Sequence, residues 1–129
     1  MISILFTSGS TGKPKGACLT HSNLVEHFIA ADHEQIMISS DTILQRTPVT
    51  LDMHAQDIFG GLWLGACIIL IRPGDDRNIA YIINTLQRHQ ISYIFTVPTI
   101  YALILEQTNG AHQLSTLRVL YSGGMIENI

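Results

Sequence analysis

Short apolar runs alternate with helical patterns along this chain, and no other feature constrains its fold as tightly. Ile2 to Thr7 is a strand-like run that enters a loop of glycine, hydroxyl and lysine residues ending at Gly16. A strand can resume from Ala17 to Thr20, and a helical pattern then places Leu24, Val25, Phe28 and Ile29 on one face. Thr42 to Gln45 reads as a short strand. Asp52 looks like a helix N-cap, with Ala55, Ile58, Phe59, Leu62 and Trp63 as the apolar stripe behind it and Gly65 as the stop. Ala66 to Ile71 is continuously apolar, as expected of a parallel strand buried on both faces. Ile79, Ile82, Ile83 and Leu86 mark another amphipathic helix, and Ser92 to Val97 another buried strand. Pro98 opens a helix with Ile100, Leu103 and Ile104 inside and Asn109-Gly110 as its end. Leu117 to Tyr121 is a last strand, and Met125 to Ile129 reads as a helix just starting. This order predicts an α/β fold with a mostly parallel sheet and helices as crossovers. The C-terminus is expected to cut through an element of a larger domain.

The remaining composition mainly excludes. A chain of 129 residues with 47% apolar content can bury one core. A formal net charge of -3 gives no basic face for nucleic acid or anionic membrane. No apolar run reaches the roughly 20 residues of a spanning helix, and residues 1–7 lack the pattern of a secretory leader. By elimination the expected location is cytoplasmic. Cys18 and Cys67 form no Cys-x-x-Cys pair and are expected to be buried, reduced residues. The histidines show no i, i+4 pair, so no metal site is expected from this chain's own side chains.

The chemistry concentrates in Thr7-Ser8-Gly9-Ser10-Thr11-Gly12-Lys13-Pro14-Lys15-Gly16. Glycines let backbone N–H groups approach an anion with no Cβ in the way. The hydroxyls of Thr7, Ser8, Ser10 and Thr11 add donors, and Lys13 and Lys15 add positive charge. Such a loop can hold a polyphosphate, or it can be a mobile polar surface loop; the physics alone leaves both readings open. It is not a Walker loop, because Thr7 and Pro14 stand where that pattern needs glycine and Ser/Thr.

The same segment resembles the signature loop of the adenylate-forming, AMP-binding superfamily, Thr-Ser-Gly-(Ser/Thr)-Thr-Gly-x-Pro-Lys-Gly, and matches it at every fixed position. In that family the loop embraces the β- and γ-phosphates of ATP. The resemblance therefore implies nucleotide contact at Thr7, Ser8, Gly9, Ser10, Thr11, Gly12, Lys15 and Gly16, with Lys13 at a variable position. It also implies magnesium arriving with ATP.

Leu51-Asp52-Met53-His54, followed by Leu62-Trp63-Leu64-Gly65-Ala66, resembles the nonribosomal peptide synthetase adenylation branch. Its pattern is Phe-Asp-x-Ser, a helix, then Leu-x-x-Gly-Ala. Leu51 and His54 depart from it. The likeness puts Asp52 where that branch pairs an aspartate with the substrate's α-ammonium, a role compatible with capping a helix. Met53, Gln56, Thr96, Leu120 and Ser122 become the implied neighbours of the substrate. His54 is either a pocket ligand or a half-exposed helix histidine. Val97-Pro98-Thr99 and Leu117 to Gly124 resemble later family segments and keep the register.

Residues 1–129 are thus expected to be a fragment of the N-terminal domain of an AMP-forming ligase. The family's adenine-covering segment, ribose-binding aspartate and C-terminal lysine have no counterpart in these residues. Catalytic residues are accordingly expected elsewhere, and the chain alone is expected to be inactive, and unstable or prone to associate. The implied partners are ATP, a carboxylate substrate, and in the parent protein a phosphopantetheine carrier domain. Two alternatives stay open: a fragment of an acyl-CoA or fatty-acyl-AMP synthetase, and a truncated remnant that binds phosphate only.

Overall fold

A computed structural model of the chain describes residues 3–7, 12–108 and 114–123. Its centre is a four-stranded parallel sheet in the order β4-β3-β5-β6, formed by β3 (Thr42–Gln45), β4 (Cys67–Leu70), β5 (Tyr93–Thr96) and β6 (Val119–Ser122). A separate antiparallel hairpin joins β1 (Ser3–Thr7) to β2 (Lys15–Leu19), with Thr7 opposite Lys15. The helices are α1 (His21–His33), α2 (Met53–Ala55), a π-helical turn (Gln56–Gly60), α3 (Gly61–Leu64), α4 (Ile79–Arg88) and α5 (Pro98–Gln107). The expected α/β architecture with a mostly parallel sheet is therefore present. The expected elements at Asn109-Gly110 and Met125 to Ile129 lie outside the described residues.

Strand alternation divides the core between the two sheet faces. Leu44 and Ile94 pack with Ile82 and Leu86 of α4 and Ile104 of α5. Ile43, Tyr93 and Phe95 pack on the other face with Met37, Met53 and Leu64. β5 lies between β3 and β6, and all four of its side chains are buried. α1 starts with a reciprocal cap. Thr20 Oγ1 accepts from the Asn23 amide at 3.2 Å, and Asn23 Oδ1 accepts from the Thr20 amide at 3.1 Å. At the other end of the sheet, buried Asp41 accepts from Ser92 Oγ at 2.6 Å, the Ile38 amide at 2.8 Å and Arg118 Nε at 3.1 Å. Burial pushes the Asp41 carboxyl up, but the Arg118, Ser92 and Ile38 hydrogen bonds outweigh it and hold it below the ordinary value. Arg118 also donates to the Gln35 and Ile36 carbonyls at 2.8 and 3.1 Å, tying the start of β6 to the segment before β3. Arg118→Ala should lower stability by about 2 kcal/mol, measured as a reduced urea midpoint with an unchanged slope.

Four local expectations fail for physical reasons. β4 is not buried on both faces: it is an edge strand of the described sheet, and Leu70 is 66% exposed. Cys67, on that edge, and Cys18, in the hairpin, are both exposed. In α1 the inner residues are Phe28 and Ala31, whereas Val25 and Ile29 of the expected stripe face outward. The face behind Asp52 is turned as well: Phe59, Leu62 and Trp63 are exposed, while Gln56, Asp57, Gly60 and Gly61 are buried. Gly61 lets this segment press onto β3 and β4, since a Cβ there would stand 2.9 Å from Ile43 Cδ1 and 3.0 Å from Ile68 Cδ1, while Gly60 faces Phe28 and Met37. The π-helical turn departs from the 3.6-residue period on which a stripe argument depends. Gly65 does end α3, in the left-handed conformation at φ 77°.

Candidate functional site

The glycine-rich segment connects the strands of the β1–β2 hairpin. Ser8, Gly9, Ser10 and Thr11 lie outside the described residues, as does the side chain of Thr7. Gly12 has φ 79°, which favours glycine, and no heavy atom lies within 4 Å of the place a Cβ would take. Lys13 and Lys15 are exposed beside it. Gly16 sits against the hairpin's own side chains, with its would-be Cβ 3.2 Å from Ile4 Cγ2. An open left-handed glycine and two exposed lysines fit the phosphate tail of a nucleotide. The hairpin does not belong to the parallel sheet, so the described flanks of this segment, Thr7 and Lys15, lie on a separate two-stranded ribbon.

Between the hairpin and the segment after β3 lies a mostly apolar cavity of about 220 Å³, lined by Leu5, Leu19, Leu24, Phe59, Asp52 and His54 among others. Asp52 is exposed, and its Oδ1 accepts from the Met53 amide at 2.9 Å. It therefore both caps α2 and offers a carboxylate to the cavity. His54 is half-buried, with Nδ1 3.1 Å from Gln45 Nε2 and 3.3 Å from the Thr47 carbonyl oxygen. His54 is thus a half-buried helix histidine braced against β3, and it also lines the cavity.

The other five residues implied as substrate neighbours are not gathered in one place. Met53 packs on the face of Ile43 and Tyr93. Gln56 is buried on that same face: its Oε1 accepts from His27 Nε2 at 2.7 Å, which puts the hydrogen on Nε2, and its Nε2 donates to Tyr93 Oη at 2.8 Å. Leu120 packs on the opposite face, against the core of Ile82 and Ile94. Thr96 and Ser122 are register partners at the ends of β5 and β6. Thr96 is fully buried and its Oγ1 accepts from Arg46 Nη1 at 2.9 Å; Ser122 is exposed.

A polar group that the sequence reading missed lies at the carboxyl ends of β3 and β5. Asp57, fully buried in the π-helical turn, accepts from Thr47 Oγ1 at 2.6 Å, and its other oxygen has no partner among the described residues. Burial raises the Asp57 carboxyl to about 7, against the opposing Thr47 hydrogen bond and the charge of Arg46. Burial also works against the charge on Arg46, as does Arg77, while Asp76 and Asp57 favour it. The available signal was Arg46-Thr47-Pro48: a charged residue immediately after a strand in a parallel sheet.

Hairpin, sheet and crossovers together define the class. A model of the AMP-binding enzyme family matches residues 1–126, and the chain belongs to that family. It is 29% identical over 127 residues to the zwittermicin A synthase ZmaJ of Bacillus cereus, covering 96% of this chain and 24% of that protein. Among solved structures it is similar to the Vibrio cholerae adenylation domain AlmE in complex with glycyl-adenosine-5'-phosphate, at 32% identity and TM-score 0.76, covering 88% of this chain and 21% of that one. It is also similar to the o-succinylbenzoate coenzyme A synthetase MenE of Bacillus subtilis in complex with ATP and magnesium ion, at 25% identity and TM-score 0.80, covering 94% and 24%. The chain thus spans a small part of the proteins it matches. Among the described residues no helix is long and apolar enough to cross a membrane.

Proposed function

We propose that this chain is part of an ATP-dependent ligase that activates an amino acid as its acyl-adenylate and releases pyrophosphate. The observation carrying this reading is the family match over residues 1–126, which includes the complete glycine-rich segment from Thr7 to Gly16. Bound ATP with magnesium supplies the α-phosphorus attacked by the substrate carboxylate and the pyrophosphate leaving group. The chain's share is to hold the phosphates. Thr7, Ser8, Gly9, Ser10, Thr11, Gly12 and Gly16 offer amides and hydroxyls, and Lys15 offers a positive charge.

The amino-acid assignment rests on Asp52, a carboxylate at an otherwise mostly apolar cavity. Such a group favours an ammonium and discriminates against a neutral analogue. The family likeness also puts Met53, Gln56, Thr96, Leu120 and Ser122 near the substrate; Met53 and Gln56 share one sheet face, Thr96 and Ser122 pair at the ends of β5 and β6, and Leu120 lies in the core of the opposite face. Gln56 shapes its side through a fixed position, since both ends of its amide already have protein partners. A phosphopantetheine carrier domain is the proposed acceptor in the parent protein. A second reading, an acyl-CoA synthetase whose acid carries no α-ammonium, is favoured by the likeness to MenE.

Amino-acid-dependent ATP–pyrophosphate exchange by the parent protein decides between these readings. Asp52→Ala should remove amino-acid-driven exchange, at a cost of about 100-fold or more. Fatty-acid-driven exchange surviving in that variant would favour the second reading, and exchange driven equally by amino acids in both proteins would remove Asp52 from the site. The 129-residue chain tested alone is expected to give no exchange.

A further inference from the structure

The cavity of about 220 Å³ beside the β1–β2 hairpin has three polar residues in its wall, Ser3, Asp52 and His54. Asp52 Oδ1 already accepts from the Met53 amide, and a serine hydroxyl rotates freely. His54 differs, because neighbours hold its ring and set the place of its hydrogen. Gln45 Nε2 stands 2.7 Å from the Thr47 carbonyl oxygen, a position that only the nitrogen of the Gln45 amide can take. The second hydrogen of that nitrogen is free for His54 Nδ1 at 3.1 Å, a closer contact than the 3.3 Å between Nδ1 and the Thr47 oxygen. Nδ1 is therefore an acceptor, and in the neutral ring the hydrogen lies on Nε2. Nε2 makes no hydrogen bond with a described residue, and it is not one of the sealed atoms left without a partner. The end of β3 thus braces an unspent N–H donor at the cavity wall, two residues from the Asp52 carboxylate.

We infer that His54 is a specificity-determining residue whose Nε2–H donates to an oxygen on the side chain of the substrate. The inference rests on the amino-acid ligase reading above and narrows its substrate class to a small amino acid with an uncharged, oxygen-bearing side chain. Asp52 takes the α-ammonium and disfavours an acidic side chain. The reacting carboxylate is not the partner of His54, since it must meet the ATP phosphates at the Thr7–Lys15 end of the hairpin. The cavity is lined instead by Ser3 and Leu19, the register pair at the other end. Its volume is below the roughly 300 Å³ at which pockets for drug-sized ligands begin, so the side chain is short. An apolar side chain of the same shape would leave a desolvated N–H with no acceptor, and is disfavoured for that reason.

The test is ATP–pyrophosphate exchange by the parent protein with near-isosteric pairs: serine against alanine, threonine against valine, and asparagine against leucine. The oxygen-bearing member of at least one pair should be favoured about tenfold or more in kcat/KM. His54→Phe keeps a ring and removes both nitrogens, and should bring that ratio close to unity. His54→Gln keeps an N–H donor and should retain part of it. Losing the brace to Gln45 changes exchange with both members of a pair alike, so a merely structural role leaves the ratio unmoved. The ratio in the unaltered protein tests the inference even if His54→Phe does not fold. A best substrate among amino acids without a side-chain oxygen, or a ratio unchanged in His54→Phe, would overturn it and leave amino-acid activation standing. Exchange driven by no amino acid, but by an acid lacking an α-ammonium, would overturn the amino-acid reading and this inference with it.

Discussion

Asp57→Asn is expected to stabilise the protein at pH 8 and to leave it nearly unchanged at acid pH. The Asp57 carboxyl is raised from 3.8 to about 7 by burial in the π-helical turn. Between about pH 4 and about pH 7 the folded state keeps this proton while the unfolded chain gives it up, so stability falls as pH rises through that window. Below the window both states are protonated, and above it the full cost of a buried carboxylate is present. A shift of this size corresponds to about 4 kcal/mol. Asparagine keeps an oxygen to accept from Thr47 Oγ1 and carries no charge at any pH, so the variant should lose this slope. Asp41 works in the opposite sense: its lowered carboxyl gives stability that is present above its ordinary value and lost as pH falls through the folded-state value. The two effects therefore occupy different pH ranges. Urea unfolding of both proteins at about pH 4.5 and about pH 8 measures the difference, and parallel pH profiles would show that Asp57 does not titrate as its burial requires.

Lys15→Ala in the parent protein should reduce ATP–pyrophosphate exchange by about 100- to 1000-fold, the usual cost of removing one preorganised group that stabilises developing charge. Lys15 is exposed at the first position of β2, opposite Thr7 in the hairpin register. That register fixes where its backbone sits relative to the loop. Lys13, at a variable position of the family pattern, should matter less, and Lys13→Ala serves as the control for loss of general positive charge. A melting temperature measured on each variant separates a lost phosphate grip from a lost fold. Full exchange by Lys15→Ala would leave the proposed role of this loop without its principal cation.

The family was legible because the glycine-rich segment that signals it is local in sequence. Glycine, hydroxyl and lysine residues at fixed spacing carry their meaning in the chain itself, and the alternation of strand and helix patterns was equally direct. Gly65 and Pro98 end and begin helices where expected, since conformational preference belongs to the residue. Asp52 was legible for the same reason, as a capping residue that also faces a cavity.

What the sequence could not supply depends on neighbours. Apolar runs do not say which strand is central, so β4 read as buried although it lies at the edge, whereas β5, inside the sheet, has every side chain buried. A helical stripe assumes a regular period and a side-chain-mediated contact. The π-helical turn and the Gly60-Gly61 approach break both conditions and bury Gln56 and Asp57 in place of Phe59 and Leu62. The same packing decided the electrostatics. The raised carboxyl of Asp57 and the locked, partly unsatisfied guanidinium of Arg46 follow from desolvation by residues distant in the chain, and no local motif records that. Sequence determined which residues could grip a phosphate; tertiary structure decided where buried charge would seek a partner, because the cost of burying a charge is set by what surrounds it.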